Sequence, residues 1–402
     1  MRQNRFVRRC GAGVLVVGLV TALAGGCASA DQQAGTDTSA GAPVKVAVVY
    51  SRTGLLSAYG AQYLQGFQAG LDHATGGSGS VGGHQIQVTY ADDAGDPAKA
   101  VAATKQYVGE GYPIVVGTDD SGIATQLAPL AEQNKILYIS GPAATDGITG
   151  ANRYTFRSGR QTYQDVATAG TFVGDPQGKK VLVFAQDSVF GHGNATAVQK
   201  VLGARGADVG TLFVPAGTTD LTPFAQQAKQ AGADLVFVAW AGDTTGGMWQ
   251  ALDQQGVLSS TTVATGLGNA ASFSAYGPAA DKISFLSYYF PGAADNPVNT
   301  AMKDAITKAG GTPDLFSPDG FVAAQMIVHA VETAGGADVE KMVGALEGWT
   351  FDAPKGSTTI RAADHAMLQP MFEAKLVAAG SGYTPQLVTT VPADGTAPPS
   401  AG

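Results

Sequence analysis

From Val44 onward the chain alternates short runs of β-branched residues with longer stretches of helical period, and that alternation admits few folds. VKVAVVY, starting at Val44, reads as a strand buried on both faces. A Gly/Ser loop leads to a helical stretch from about Ser57 to Ala74, then to HQIQVTYAD as a second strand. A helix from Asp96, strand PIVVG, a helix from Ser121 and strand ILYIS continue the pattern. Repeated β-α-β requires a parallel sheet with crossover helices. The pattern then restarts: Arg153–Phe156 leaves the first unit, and Lys180–Ala185, Val209–Val214, Leu235–Trp240 and Thr261–Thr265 form a second set of strands with helices between them. Helices at Asn299–Ala309 and Asp319–Ala334 follow, then short strands around Phe351, Thr358 and Phe372. Two α/β units with these late additions predict two lobes joined by several chain crossings.

The first thirty residues carry an address. Arg2, Arg5, Arg8 and Arg9 precede an apolar run, Gly11–Ala24, and small residues lead to Cys27 in LAGGC. That is the layout of a secretory signal, and a run of ~14 residues is too short to span a bilayer ~30 Å thick. Cys27 after Ala24-Gly25-Gly26 resembles the acylated cysteine of a lipobox, although Leu23 stands one place further from it than in the usual pattern. Ala28-Ser29-Ala30 offers an ordinary signal peptidase an alternative cut. Either cut predicts a protein that works outside the cytoplasm, and the first leaves it lipid-anchored to the outer face of the cell membrane. Asp31–Ala42, small and polar, reads as a tether. Losing the four arginines takes Lys+Arg from 24 to 20 against 32 acidic residues, a net charge near −12. Nucleic acid and anionic membrane surfaces are poor partners for such a chain. With Cys10 in the signal and Cys27 the anchor, no cysteine pair remains for a disulfide or a metal.

The enzymatic motifs fail on context. Gly77–Gly82 matches G-x-G-x-x-G, but a helix precedes it and a strand follows, the reverse of a dinucleotide fingerprint. There is no G-x-S-x-G, H-E-x-x-H or P-loop lysine. His73, His84, His192, His329 and His365 lack ligand spacing, and His329 with Glu332 reads as a solvated helical pair. Asp92, Asp93 and Asp96 look like a calcium loop, but Pro97 stands where that loop needs glycine. Asp96 therefore reads as a helix N-cap with Pro97 in the first position. No cofactor, no metal and no nucleophile–base pair is expected.

Several strings taken together resemble the branched-chain amino-acid-binding (Leu/Ile/Val-type) receptors of ABC transporters, which have a type I periplasmic-binding-protein fold. They are SRTGLLSAYG, GGSGSVGGHQIQVTYADDAGDPAKAV, VVGTDDSGIATQLAPLAEQNKILYISGPAATD, VFAQDSVFGHG and PAGTTDLTPFAQQAKQAGADLVFVAW. Their order and spacing cover nearly all of Val44 to about Leu376. The resemblance implies an α/β protein of two lobes, each a mostly parallel sheet flanked by helices, with three hinge crossings near Gly159, Tyr288 and Arg361. Residues 1–26 would be the signal and 27–42 the lipid-anchored linker. Residues 43–158 and 288–360 would form the N-terminal lobe, 159–287 and 361–395 the C-terminal lobe, and 396–402 a disordered tail.

In parallel α/β sheets ligands bind beyond the carboxyl ends of the strands. By resemblance, the Asp120-Ser121 turn and the Ala143–Thr145 segment would hold a ligand carboxylate, where a hydroxyl and free N–H groups suit an anion. Tyr59, Phe190 and Trp240 would be apolar walls, joined by Tyr288 or Tyr289 on the return crossing. The plainer alternatives are helix caps for Ser121 and Thr145 and simple packing for Phe190 and Trp240. Amino-acid binders of this type often place an acid in the second lobe to pair the ammonium. The corresponding stretch, TGLGNA, offers Leu267 instead, leaving Asp119, Asp120 or Asp243 to supply the charge. If none faces the cleft, an amine-free carboxylate or an amide fits better. The implied function is capture of a small solute for an ABC permease. The alternative is a sensor of the same fold that signals to a protein partner.

Overall fold

The computed structural model describes residues 41–401. Cys27, the expected signal and most of the expected tether lie outside the described residues. Strands β1 (Gly41–Tyr50), β2 (Ser80–Val81), β3 (His84–Asp92), β4 (Ile114–Val116), β5 (Leu137–Ser140) and β6 (Thr155–Arg157) build one sheet in the order β2-β3-β1-β4-β5-β6. All its pairs are parallel except β2 with β3. The apolar run that begins at Val44 is explained by burial on both faces. Val44, Val46 and Val48 enter one core, under helix α1 (Ser57–Ala74) and the later helix that spans Ser317–Ala334, while Ala47 and Val49 enter another, under α2 (Pro97–Gly109) and α3 (Ser121–Asn134). Asp96 caps α2, accepting from Ala98 N at 2.8 Å and Lys99 N at 3.3 Å, with Pro97 next.

The chain crosses at Ser158–Gln161 into α4 (Thr162–Phe172) and a second sheet. Its parallel part is β7 (Lys180–Asp187), β8 (Asp208–Pro215), β9 (Leu235–Ala239), β10 (Thr262–Gly266) and β11 (Ile283–Ser287). Helices α5 (Val189–Val201), α6 (Thr222–Gln230) and α7 (Thr245–Gln254) connect them. Val181, Val183 and Ala185 pack on α4 and α5, and Leu182 and Phe184 pack on α6 and α7, again two covered faces. After β11 the chain returns to the first lobe through α8 (Pro297–Lys308), α9 (Ser317–Ala334) and α10 (Val339–Leu346). A small antiparallel sheet follows, β12 (Thr350–Ala353), β13 (Gly356–Ile360) and β14 (Met367–Leu368). Finally β15 (Met371–Ala379) and β16 (Gly382–Val391) extend the second sheet, whose order is β16-β15-β11-β10-β9-β7-β8. The architecture is mixed α/β, two mostly parallel sheets each flanked by helices.

Two boundaries differ from the sequence expectation. The third crossing is at Gln369–Pro370, not near Arg361, because β14 pairs with β13 and buries Met367 in the first lobe's core. Nor is 396–401 a loose tail. Thr396 is buried, and Arg361 donates to the carbonyls of Pro398 at 2.8 Å and Pro399 at 3.3 Å. Asp364, paired to Arg361, accepts from Ala401 N at 2.9 Å. The chain end thus passes α4 and is clasped back onto the first lobe.

Candidate functional site

The carboxyl ends of both sheets face one cleft of about 300 Å³, lined from both lobes. Among the expected residues, Tyr59, Asp120, Ser121, Phe190, Trp240, Leu267 and Tyr288 line it. Ser121 opens α3, and Asp120 caps that helix by accepting from Ile123 N at 2.9 Å. Burial raises the Asp120 carboxyl above the usual carboxylate range. Asp119 lines the cleft too, accepts from Ser51 N at 3.0 Å and is pushed well up by burial. Trp240, just beyond β9, stacks on Phe184 with ring centres 5.5 Å apart and donates from Nε1 to Thr244 Oγ1 at 2.9 Å. The Gln186 side chain fixes the same loop, accepting from Ala241 N at 3.0 Å and donating to Ala241 O at 3.1 Å. Tyr59 stands on α1, edge-on to Phe316 at 4.8 Å.

Ala143, Thr145 and Asp243 do not line the cleft. The reason for the first two is Arg157, a fully buried arginine at the end of β6. It donates to Ala143 O at 2.9 Å, Thr145 O at 3.1 Å and Thr149 Oγ1 at 2.9 Å, drawing that segment inward. Two N–H groups of that segment are engaged as well. Ala143 N donates to Thr118 O at 3.2 Å, and Thr145 N to Ser121 Oγ, also at 3.2 Å. Thr145 Oγ1 caps a short turn by accepting from Gly147 N. Asp243 is exposed beyond Gly242, whose φ of 83° turns the chain there.

Sequence reasoning missed the charged group at the hinge. Arg160, three residues past β6, lines the cleft and pairs with Asp165 of α4 at 3.1 Å, both side chains nearly buried. Its guanidinium lies 5.3 Å from the Tyr288 ring centre and 5.4 Å from that of Phe316, distances at which the ring faces attract a cation. Behind Tyr288 sit Lys355, its Nζ 3.7 Å from the ring centre, and Asp319, which accepts from the Tyr288 hydroxyl. Burial pushes Asp319 up to about 7 despite nearby Arg160, Lys355 and Arg157, and holds Lys355 well below the usual lysine range. The signal that finds Arg160 is its place just past a strand's carboxyl end, the same rule that finds Trp240.

The lobes touch across the cleft mouth. Gly242 N donates to Tyr59 Oη in a long 3.5 Å contact, and an added Cβ on Gly242 would stand 2.7 Å from Leu55 Cγ and from Leu55 O. Gly122 on α3 approaches Val189 at the start of α5. Among the described residues no group of three or more His, Cys, Asp or Glu could hold a metal ion, and no helix is long and apolar enough to cross a membrane.

Residues 43–381 match the family described as periplasmic binding protein. The chain is 26% identical over 339 residues to the Leu/Ile/Val-binding protein homolog 2 of Brucella abortus, covering 83% of this chain and 90% of that one. It is 32% identical to an ABC-type branched-chain amino acid transporter protein of Rhodopseudomonas palustris, with a TM-score of 0.74 over 89% of this chain and 99% of that one. A solute-binding protein from the same organism, solved with 4-hydroxybenzoate, shares the fold at 24% identity and a TM-score of 0.80, covering 87% and 97%.

Proposed function

The chain belongs to the periplasmic binding protein family and is a substrate-binding receptor, and we propose that it captures a small carboxylated solute, best an amino acid with an apolar side chain, for delivery to an ABC permease. The observation that carries this reading is one cleft with opposite charges at fixed places between apolar walls. Arg160 and Asp120 both line it, with Phe190, Trp240, Leu267 and Tyr288 around them. Its volume of about 300 Å³ stands at the small end of ligand pockets, which run from roughly 300 to 1,000 Å³. Asp120 on the first lobe supplies the negative partner for an ammonium that Leu267 does not. A second reading, an amine-free aromatic acid, is favoured by the apolar Leu267 among aromatic walls. The receptor works outside the cytoplasm, with Cys27 as its acylated anchor.

A thermal-shift panel of amino acids, amides and aromatic acids separates these readings. A ligand at ~100 times its dissociation constant adds roughly 2.7 kcal/mol of stability. Stabilisation by leucine or valine supports the amino-acid reading, and stabilisation by aromatic acids alone supports the second. A flat response to the whole panel overturns both.

Closure makes a separate prediction. Gly242→Ala places a methyl group against Leu55 and puts alanine in a left-handed backbone conformation. Because only the closed form holds the ligand from both sides, affinity should fall about tenfold or more, a cost of at least ~1.4 kcal/mol. Calorimetric titration checks this; wild-type affinity in the variant would mean that the Leu55–Gly242 contact plays no part in capture.

A further inference from the structure

We propose that Arg160 is the anchor for the ligand's carboxylate, a role the Ala143–Thr145 segment does not fill in this chain. The inference rests on the reading of the cleft as a solute site and deepens it. A guanidinium presents five N–H donors in a rigid fork that matches a carboxylate edge. In Arg160 the Nε proton goes to Asp165, at 3.1 Å and 3.3 Å to its two oxygens, and one Nη1 proton goes to Pro142 O at 2.7 Å. Nη2 has no partner among the described residues, and the side chain lines the cleft.

The group is fixed before any ligand arrives. Only 8% of Arg160 is exposed, and the Tyr288 and Phe316 rings lie against it. Its two fixed bonds reach opposite lobes. Pro142 follows β5 of the first sheet, and Asp165 lies on α4, which packs on the second. A carboxylate on Nη2 therefore meets a donor held from both sides of the hinge. Arg157 and Lys355 lie near the Asp165 and Asp319 carboxyls behind Arg160. Two of the competing donors are committed, Thr145 N to Ser121 Oγ and Ala143 N to Thr118 O, which leaves the Ser121 hydroxyl beside Arg160 in the cleft lining.

The test uses acid–amide pairs, leucine with leucinamide and benzoate with benzamide, titrated calorimetrically against the full-length chain. The wild type should prefer the acid of at least one pair. Arg160→Gln should weaken that acid about 100-fold, the range expected when a bond to a charged group is lost, and change its amide less than about threefold. Arg160→Lys keeps the charge without the fork, and should weaken the acid about tenfold while keeping the preference for acid over amide. An acid preference that survives intact in Arg160→Gln overturns the anchor and leaves the receptor reading standing. If Arg160→Gln fails to fold, Arg160→Lys decides, and an unchanged acid affinity there overturns the proposal. Binding of none of the four probes by the wild type overturns the receptor reading for these solute classes, and the anchor with it.

Discussion

Gly320→Ala lowers the melting transition of the first lobe, by about 3 kcal/mol or more, read as a shift of roughly 6 °C or more. The direction is the informative part. In an exposed helix interior alanine is favoured over glycine by nearly ~1 kcal/mol. Gly320 lies on α9 where that helix meets α1, and an added Cβ would fall 1.9 Å from Tyr63 O and 2.5 Å from Phe67 N. The contact is reciprocal: a Cβ on Gly66 of α1 would fall 1.9 Å from Ser317 O. These are backbone atoms, so the clash cannot be relieved by turning a side chain. The helices must separate, and Tyr63, Phe67 and Phe321, all fully buried, lose their packing. Gly344 on α10 is the control, since a Cβ there meets nothing within 4 Å. Its alanine variant should be neutral or more stable. A Gly320→Ala protein that melts with the wild type would disprove the close α1–α9 approach.

Arg157→Ala is the second large effect. The side chain is 1% exposed and donates to the carbonyls of Ala143, Thr145, Gly159 and Arg160 and to Thr149 Oγ1. Burial lowers its pKa to about 10, which still leaves it charged at neutral pH. Alanine would strand several buried acceptors around a cavity, and each unsatisfied group costs about 1–3 kcal/mol. Relaxation and entry of water recover part of that, so the expected loss is about 3–5 kcal/mol in denaturant unfolding, the range for breaking buried charged networks. Lysine should not rescue it, because one ammonium with three donors cannot reach acceptors spread over residues 143–160. Ligand affinity should fall as well, since Arg157 holds the carbonyl of Arg160 itself. A loss below about 1 kcal/mol would show that water replaces the guanidinium without cost.

The contrast between these residues shows what a sequence makes legible. β1 was readable because both its faces are covered, which forces a nearly continuous apolar run. Tyr59, Phe190, Trp240, Leu267 and Tyr288 were readable as cleft candidates through strand ends and resemblance, and the structure brings them to one cleft. Ala143 and Thr145 sit in a string that resembles a ligand loop, but their orientation depends on Arg157, and nothing local reveals which carbonyls an arginine will gather. Arg160 is marked only by its place just past a strand's carboxyl end, since a hinge position shows no periodicity, and the rings against it come from Tyr288 and Phe316, more than a hundred residues away. β14 is two residues long and carries no pattern to read. The small, proline-containing end of the chain looks unstructured by composition, yet Arg361 and Asp364 hold it.

That clasp has a mechanical consequence. The described chain starts at Gly41, in the first sheet, and its last residues are fastened beside Asp364 on the same lobe. A pull between the two ends enters and leaves through one lobe, while the other hangs from its crossings and carries no load. Tension between Gly41 and Ala401 would therefore leave the jaw free to swing until the bonds to Arg361 and Asp364 peel. Only then would the force reach β16 and begin to strip the second sheet from its edge.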